Sequence, residues 1–181
     1  MSESSKKMKA HERREYILTL LKQRGVPVTG SSLAEEMNVT RQVIVGDVSL
    51  LKARNEPIVA TSQGYMYMTD AKEDLAFKKT IVCQHGSDET EEELHILVDH
   101  GVVVQDVVVE HPIYGDLTAQ LRIANRRDVK KFMEQMRSTS ASFLLELTDG
   151  IHTHTIAADS EAALKEAEEA LLESGILMKT S

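Results

Sequence analysis

Apolar residues recur at helical spacing through the first part of the chain. They predict helices at Ala10–Arg24, at about Thr29–Met37 and at Thr40–Arg54, with a short turn between the second and the third. After Pro57, the segments Ile58–Thr61 and Tyr65–Met68 flank a turn that contains a glycine, which predicts a hairpin. Three helices followed by a hairpin are the order of a winged helix-turn-helix.

Two of these helices begin with residues that can cap them. Ser32 and Glu35 match a capping box for the second helix, although Thr29 or Ser31 could serve as the cap instead. Thr40 is the predicted cap of the third helix. The caps matter because they set which residues directly follow the turn.

In a winged helix-turn-helix, the helix after the turn lies in the DNA major groove with its first residues at the base edges. Apolar residues of this helix, from Ile44 to Leu51, are spaced to face the core. The opposite face offers an arginine for guanine or phosphate, a glutamine for adenine, a valine for the thymine methyl group and two hydroxyls for phosphates. The predicted DNA-contacting residues are Thr40, Arg41, Gln42, Val45 and Ser49. The alternative is a helical module that only packs against other proteins.

From Lys79 onwards, strands and helices are mixed. The predicted strands are Thr80–Gln84, Val102–Glu110, Gly115–Ile123, Ile151–Ala157 and Ile176–Met178, and the predicted helices are Asp88–Asp99, Arg127–Arg137 and Ser160–Glu173. The second and third strands form an antiparallel hairpin. The pattern predicts the α+β class, as a sandwich in which helices cover one face of a sheet.

The distribution of charge also divides the chain between the predicted hairpin and the mixed strands and helices that follow it. The 181 residues carry a net charge of −8, but residues 1–70 hold 10 basic and 8 acidic residues, whereas residues 71–181 hold 11 and 21. This asymmetry predicts a domain of residues 1–70 and a domain of residues 71–181, which meet near Asp70–Asp74. Since neutralising phosphates supplies most non-specific affinity for DNA, a reader with so little positive charge is expected to bind as a dimer.

The composition of the chain excludes several other classes of protein and of metal site. No apolar run approaches the roughly 20 residues of a membrane span, and the polar N-terminus has no apolar signal core, so we expect a cytoplasmic protein without a membrane partner. The single cysteine, Cys83, excludes an intrachain disulfide and a four-cysteine zinc site.

The histidines near the end of the chain suggest a metal site. His152 and His154 are two residues apart on a predicted strand, so both side chains point to the same side, and paired imidazoles suit transition metals. His85 ends the first predicted strand of this domain and could approach as a third ligand. Among the four glutamates of the next helix, Glu93 adjoins the apolar stripe and is best placed to point inward. The alternative is a histidine pair satisfied by local hydrogen bonds, with the acidic run offsetting the helix dipole.

Four segments together resemble the niacin-responsive repressors, which fuse a winged helix-turn-helix to a three-histidine (3H) domain. They are Thr40–Val48, His85, Glu110–Gly115 and Gly150–His154. The resemblance implies a homodimer that binds operator DNA and represses genes of NAD synthesis or niacin uptake, with nicotinic acid as co-repressor. It also implies a divalent transition metal (nickel, zinc or iron) held by His85, Glu93, His152 and His154.

Two other functions are compatible with the sequence. One is a repressor for which the metal itself is the signal. The other is a metal-dependent hydrolase fused to a DNA-binding module, in which the histidines activate water. No nucleophile arrangement, general base or substrate pocket for a hydrolase is identifiable, so we predict no catalytic residues and expect a protein that is not an enzyme.

Overall fold

The computed structural model describes residues 8–68 and 75–179, which fall into two compact units, one within Met1–Lys72 and the other within Glu73–Ser181. The predicted boundary at Asp70–Asp74 lies outside the described residues. Each unit has a hydrophobic core of its own. None of the helices in the described ranges combines the length and the apolar character needed to cross a membrane.

Within residues 8–68, the first unit has the predicted order of three helices and a hairpin. Its elements are α1 Ala10–Arg24, α2 Gly30–Glu36, α3 Arg41–Ala53, β1 Ile58–Thr61 and β2 Gly64–Tyr67. β1 and β2 pair antiparallel, with Thr61 opposite Gly64. Gly64 has φ +128°, and a Cβ there would lie 2.5 Å from the backbone of Val28, so this turn requires glycine.

The cap of α2 differs from the favoured prediction. Thr29, not Ser32, is the N-cap, and its hydroxyl oxygen accepts from the Ser32 N–H at 3.1 Å. Ser32 lies in the first turn, where its own N–H needs a partner, so the capping-box prediction was wrong. Thr40 caps α3 as predicted, with its hydroxyl oxygen 3.4 Å from the Val43 nitrogen.

A buried ion pair joins α1 to α3. Asp47 of α3 is 4% exposed, and its carboxylate accepts from Arg13 and, at 3.3 Å, from Arg14 of α1. Ile17 of α1 and Ile44 of α3 pack in the same core. These contacts fix the inner face of α3 and leave its other face outward.

Among residues 75–179, the second unit forms a four-stranded antiparallel sheet with helices. Its elements are β3 Phe77–Gln84, α4 Thr90–Asp99, β4 Val103–His111, β5 Gly115–Ile123, α5 Arg126–Thr139, β6 Ile151–Ala158 and α6 Glu161–Glu173. The strand order is β3-β6-β4-β5. Helices α4 and α6 pack on the sheet and α5 packs on α4. The predicted α+β fold is therefore confirmed.

Two short segments of this unit have a secondary structure that the sequence did not predict. Ile176–Met178, predicted as a closing strand, forms only an isolated bridge between Leu177 and Cys83 of β3. Its backbone is joined to β3 by hydrogen bonds at Val82 and Gln84, too few to make a strand. The apolar segment before β6 forms a 3-10 turn, Leu144–Thr148.

Candidate metal centre

The three histidines predicted as ligands come from the paired strands β3 and β6. His152 and His154 are two residues apart on β6, so both side chains point to the helix-covered face, where they are 2% and 3% exposed. His85 directly follows β3, and its backbone N–H donates to the Gly150 carbonyl at 3.3 Å. Because Cys83 is opposite His152 in the antiparallel register, His85 lies beside the start of β6.

Glu93 of α4 lies among the three imidazoles. Its carboxylate oxygens are 2.8 Å from His85 Nε2, 3.1 Å from His152 Nε2 and 3.2 Å from His154 Nε2. Its side chain is 1% exposed, because the apolar stripe of α4 turns this position toward the sheet. The structure thus brings together the four residues predicted for the metal site.

The neighbouring glutamates of the acidic run have other partners. Glu89 accepts from the Gly86 N–H at 3.2 Å, in the 3-10 turn that precedes α4. Glu91 accepts from Arg137 of α5 at 2.9 Å. Glu89 and Glu91 therefore lie near the surface at the start of α4, as the alternative interpretation of the acidic run predicts. Of Glu89, Glu91 and Glu93, only Glu93 reaches the histidines.

Each of the three rings donates from its other nitrogen to a backbone carbonyl. A carbonyl oxygen only accepts, so Nδ1 carries a proton in every ring, and Nε2 of the neutral ring is a lone pair that faces the carboxylate. Metal-binding histidines commonly have this outer hydrogen bond, which fixes the tautomer and the ring orientation. The Nδ1–oxygen distances are 2.7 Å for His85 and Gly86, 2.8 Å for His152 and Gly150, and 2.6 Å for His154 and Asp106.

The charges in this cluster act on each other. Burial works against ionisation of Glu93, but the attraction of His154 and the hydrogen bonds with His152 and His85 hold the pKa of Glu93 well below its usual range. Burial also works against protonation of His85 and His154, but the Glu93 carboxylate raises the pKa of both histidines above the usual value. The site therefore stabilises an ionised carboxylate and attracts positive charge.

The residues present fit a metal ion. An ionised carboxylate and three neutral Nε2 atoms offer only lone pairs to one another, so close contacts between them require a shared proton or a cation. Moreover, His154 Nε2 is buried and, although 3.2 Å from Glu93, makes no hydrogen bond of acceptable geometry with any residue in the described part of the chain. Imidazole nitrogens together with a carboxylate suit zinc, nickel or iron.

The structure adds Cys83 to this neighbourhood, which the sequence interpretation missed. Single ligand atoms of Cys83, Glu93 and His152 lie within 4.8 Å of one another, so this buried group could hold a metal. Burial, followed by the charge of Glu93, raises the pKa of the Cys83 thiol. The sequence did contain a signal for Cys83. Because side chains alternate along a strand, Cys83 is expected on the same face of the sheet as His85, two residues later.

Backbone geometry at Gly150 holds the centre together. Gly150 has φ +87°, and a Cβ at this position would overlap with the carbonyl of His85. The close approach lets the Gly150 carbonyl accept from both the His85 N–H and His152 Nδ1. Glycine is thus required one residue before the Ile-His-Thr-His segment.

An irregularity in β4 supports the third histidine. The register between β4 and its neighbours shifts near Asp106. The Asp106 carbonyl accepts from His154 Nδ1, and the Asp106 carboxylate accepts from the Thr155 N–H at 2.8 Å. Bulges often re-aim groups beside functional sites, and here the bulge supplies a carbonyl to a ligand histidine.

A cavity of about 180 Å³ opens beside the metal centre. Its walls are mainly apolar, with the rings of Phe132 and Phe143 6.3 Å apart, and His152 and His154 contribute polar atoms. Thr90 also lines the cavity, and its buried hydroxyl has no hydrogen-bond partner among the described residues. The cavity suits a small planar molecule with a polar group.

On α3, the predicted DNA-contacting residues share one side of the helix. Thr40, Arg41, Gln42 and Ser49 are exposed and Val45 is half-buried. The Ser49 hydroxyl donates to the Val45 carbonyl at 2.8 Å, so in this conformation it is not available to donate to a phosphate. Arg41 and Gln42 extend from the first turn of the helix.

Two family models match the chain, and its relatives include two named transcription repressors. Residues 13–66 match a model described as an HTH domain, and residues 78–180 match the 3H domain. "Transcription repressor NadR" of Bacillus subtilis is 49% identical over 180 residues, which cover 99% of each chain. "Probable transcription repressor NiaR" of Thermotoga maritima is 34% identical over 168 residues, which cover 93% of this chain and 94% of the relative.

Proposed function

The chain belongs to the niacin-responsive family of transcription repressors that NadR and NiaR represent, and from this premise we propose that it represses genes of NAD metabolism with nicotinic acid as its co-repressor. The observation that carries the proposal is the convergence of three imidazole Nε2 atoms on Glu93, beside a small apolar cavity. The relatives support repression through DNA binding, and the geometry of the site supports the metal and the effector.

In this proposal, a divalent transition metal (nickel, zinc or iron) is held by His85, Glu93, His152 and His154. The metal would supply a Lewis acid to which a ligand carboxylate or a pyridine nitrogen can bind. The chain's own residues set the orientation, since each histidine is fixed by a backbone carbonyl. Burial of the four side chains keeps water away from the charged groups.

Nicotinic acid fits the chemistry of the cavity. Its apolar ring would contact the apolar lining, which includes Phe132 and Phe143, and its carboxylate and ring nitrogen would face the polar side formed by the histidines. The unpartnered Thr90 hydroxyl offers a hydrogen-bond donor for either group. A buried polar atom without a partner is costly, so a ligand that satisfies it gains affinity.

DNA recognition is assigned to α3, with Arg41 and Gln42 at the base edges. Because the first 70 residues carry only two more basic than acidic side chains, a homodimer that engages two half-sites is proposed. The cytoplasm, which holds the DNA in bacteria, is the proposed location. Nicotinic acid acts as co-repressor only if it binds the DNA-competent state better than the other state.

Thermal stability of the full-length chain tests the effector. Zinc-loaded and chelator-treated protein are compared with and without nicotinic acid, and nicotinamide, which lacks the carboxylate, is the control ligand. At about 100 times its dissociation constant, a ligand stabilises by about 2.7 kcal/mol. We expect this shift with nicotinic acid in the loaded protein. No shift there would remove nicotinic acid as the effector.

Operator binding then separates the two kinds of repressor. We expect metal-loaded protein to bind the operator tightly only when nicotinic acid is present. Tight binding with metal alone, unchanged by nicotinic acid, would instead make the metal the signal. Replacing Thr90 with valine, which keeps the shape and removes the hydroxyl, should weaken the response to nicotinic acid without removing the metal.

A further inference from the structure

Cys83 borders the metal centre without belonging to the predicted ligand set. It is the single cysteine of the chain, it is fully buried, and it is the residue of β3 directly opposite His152. Opposed residues of antiparallel strands have Cβ atoms about 4.5–5.5 Å apart on the same face of the sheet. The thiol and the imidazole of His152 therefore enter the same space.

Cys83 has both apolar and ligand-like surroundings. It belongs to the hydrophobic core of the second unit, where a cysteine can pack as a small apolar side chain. One ligand atom each of Cys83, Glu93 and His152 also lies within 4.8 Å of the other two, which apolar packing alone does not require. His154, which also contacts Glu93, is 3% exposed, and within the described ranges its Nε2 makes no hydrogen bond of acceptable geometry. A buried imidazole lone pair is therefore available to a metal ion near the thiol.

The spacing is close to that of a coordination shell. With bonds of about 2.0–2.3 Å, neighbouring ligand atoms of one metal ion are about 3–4 Å apart. Cys83, Glu93 and His152 would need to approach by only about 1 Å to meet this spacing. Rotation of side chains can produce movements of this size without a displacement of the strands or of the helix.

We propose that Cys83 is a thiolate ligand of the metal ion, so that the centre prefers thiophilic divalent metals such as zinc and cadmium to hard ions such as manganese. This proposal rests on the metal centre of the proposed function. On binding, the S–H bond breaks, the proton leaves to solvent and a sulfur–metal bond forms. No oxidation state changes.

Cobalt(II) is the probe for this bond. A thiolate bound to cobalt(II) gives a charge-transfer absorption in the near ultraviolet, whereas nitrogen and oxygen ligands give only the visible bands. Metal-free full-length protein is titrated with cobalt(II), and we expect both absorptions. Because the chain has one cysteine, a thiolate–cobalt absorption of the folded protein can come only from Cys83.

Two variants sharpen the assignment. Cys83→Ser should keep the visible bands of bound cobalt(II) and lose the near-ultraviolet absorption. Ile81→Val, a mild change at a buried position on the same face of β3, should keep both. Cys83→Ser should also weaken binding of cadmium(II) roughly tenfold or more and leave that of manganese(II) within about twofold. If the role of Cys83 is purely structural, Cys83→Ser should lower the affinity for cadmium(II) and for manganese(II) by the same factor.

Failures of the two proposals are distinguishable. Visible bands without the near-ultraviolet absorption in the unmodified protein would overturn the role of Cys83 and leave the metal centre intact. Absence of any bound cobalt(II) would overturn both. The spectrum of the unmodified protein decides the question even where Cys83→Ser fails to fold.

Discussion

Replacing Gly150 with alanine tests whether the backbone at the start of β6 holds the metal centre together. At φ +87°, an alanine incurs the left-handed penalty of about 1–2 kcal/mol. Its Cβ would also overlap with the His85 carbonyl, and overpacking of this kind costs about 1–3 kcal/mol more. We therefore expect the second unit to lose about 2–5 kcal/mol of stability.

Gly101→Ala is the matched control for this change. Gly101 lies in the same unit and has φ +73°, but a Cβ at this position would meet no atom within 4 Å. It therefore carries the left-handed penalty without the overlap. For a domain of about 100 residues, 1 kcal/mol corresponds to about 4 °C in Tm. Calorimetry of the full-length chain should place the Tm of Gly150→Ala about 4–12 °C below that of Gly101→Ala.

Metal affinity is the second readout for the same pair of variants. The Gly150 carbonyl orients His152 and accepts from the His85 backbone, so its displacement disturbs two ligands. Loss of such an outer hydrogen bond lowers metal affinity by about 10–100-fold. A competition titration with zinc should show this loss for Gly150→Ala only. If the two variants have the same Tm and the same zinc affinity, the reasoning is refuted.

Three further predictions concern single side chains. Glu93→Gln should lower the pKa of His85 and of His154, since their burial remains while the charge that raises their pKa is gone; NMR titration of the metal-free protein measures this, and unchanged values would contradict it. Arg41→Ala should cost about 1–3 kcal/mol of operator binding, whereas Lys165→Ala, the loss of an exposed charge in the other unit, should cost little; equal affinities would show that α3 is not the reading helix. Thr29→Ala should destabilise the first unit by about 1 kcal/mol and Ser32→Ala by less than about 0.5 kcal/mol, as measured by urea unfolding. A larger effect of Ser32→Ala would instead indicate that Ser32 caps α2.

Elements with a local cause could be predicted from the sequence. α1 begins at Ala10 and ends at Arg24 as predicted, because Gly25 takes the left-handed conformation with φ +60° that ends a helix. The strand period of two placed His152 and His154 on one face without any knowledge of their partners. Glu93 could be preferred over its neighbours because the helix period ties it to the apolar stripe.

Features that depend on pairing between distant segments could not be predicted. Cys83 becomes part of the centre only through its register with His152, and the sequence does not specify which strands pair. The shift of register at Asp106, which supplies a carbonyl to His154, is equally non-local. The closing segment at Leu177 has the composition of a strand, but it reaches β3 at only one bridge.

The cavity beside the centre has two sides of different construction. Its polar floor consists of strand and helix residues such as His152 and Glu93, which hydrogen bonds and the β3–β6 ladder hold in place. Its apolar wall includes Leu145 of the 3-10 segment Leu144–Thr148 between α5 and β6, and Phe143, which directly precedes that segment. Such a turn has fewer and weaker backbone hydrogen bonds than a strand ladder, so it opens and closes at lower cost. Under the proposed function, an effector in this cavity would therefore alter the wall more than the metal-binding floor. The floor would set which ligand binds, and the wall would undergo most of the structural change within this unit.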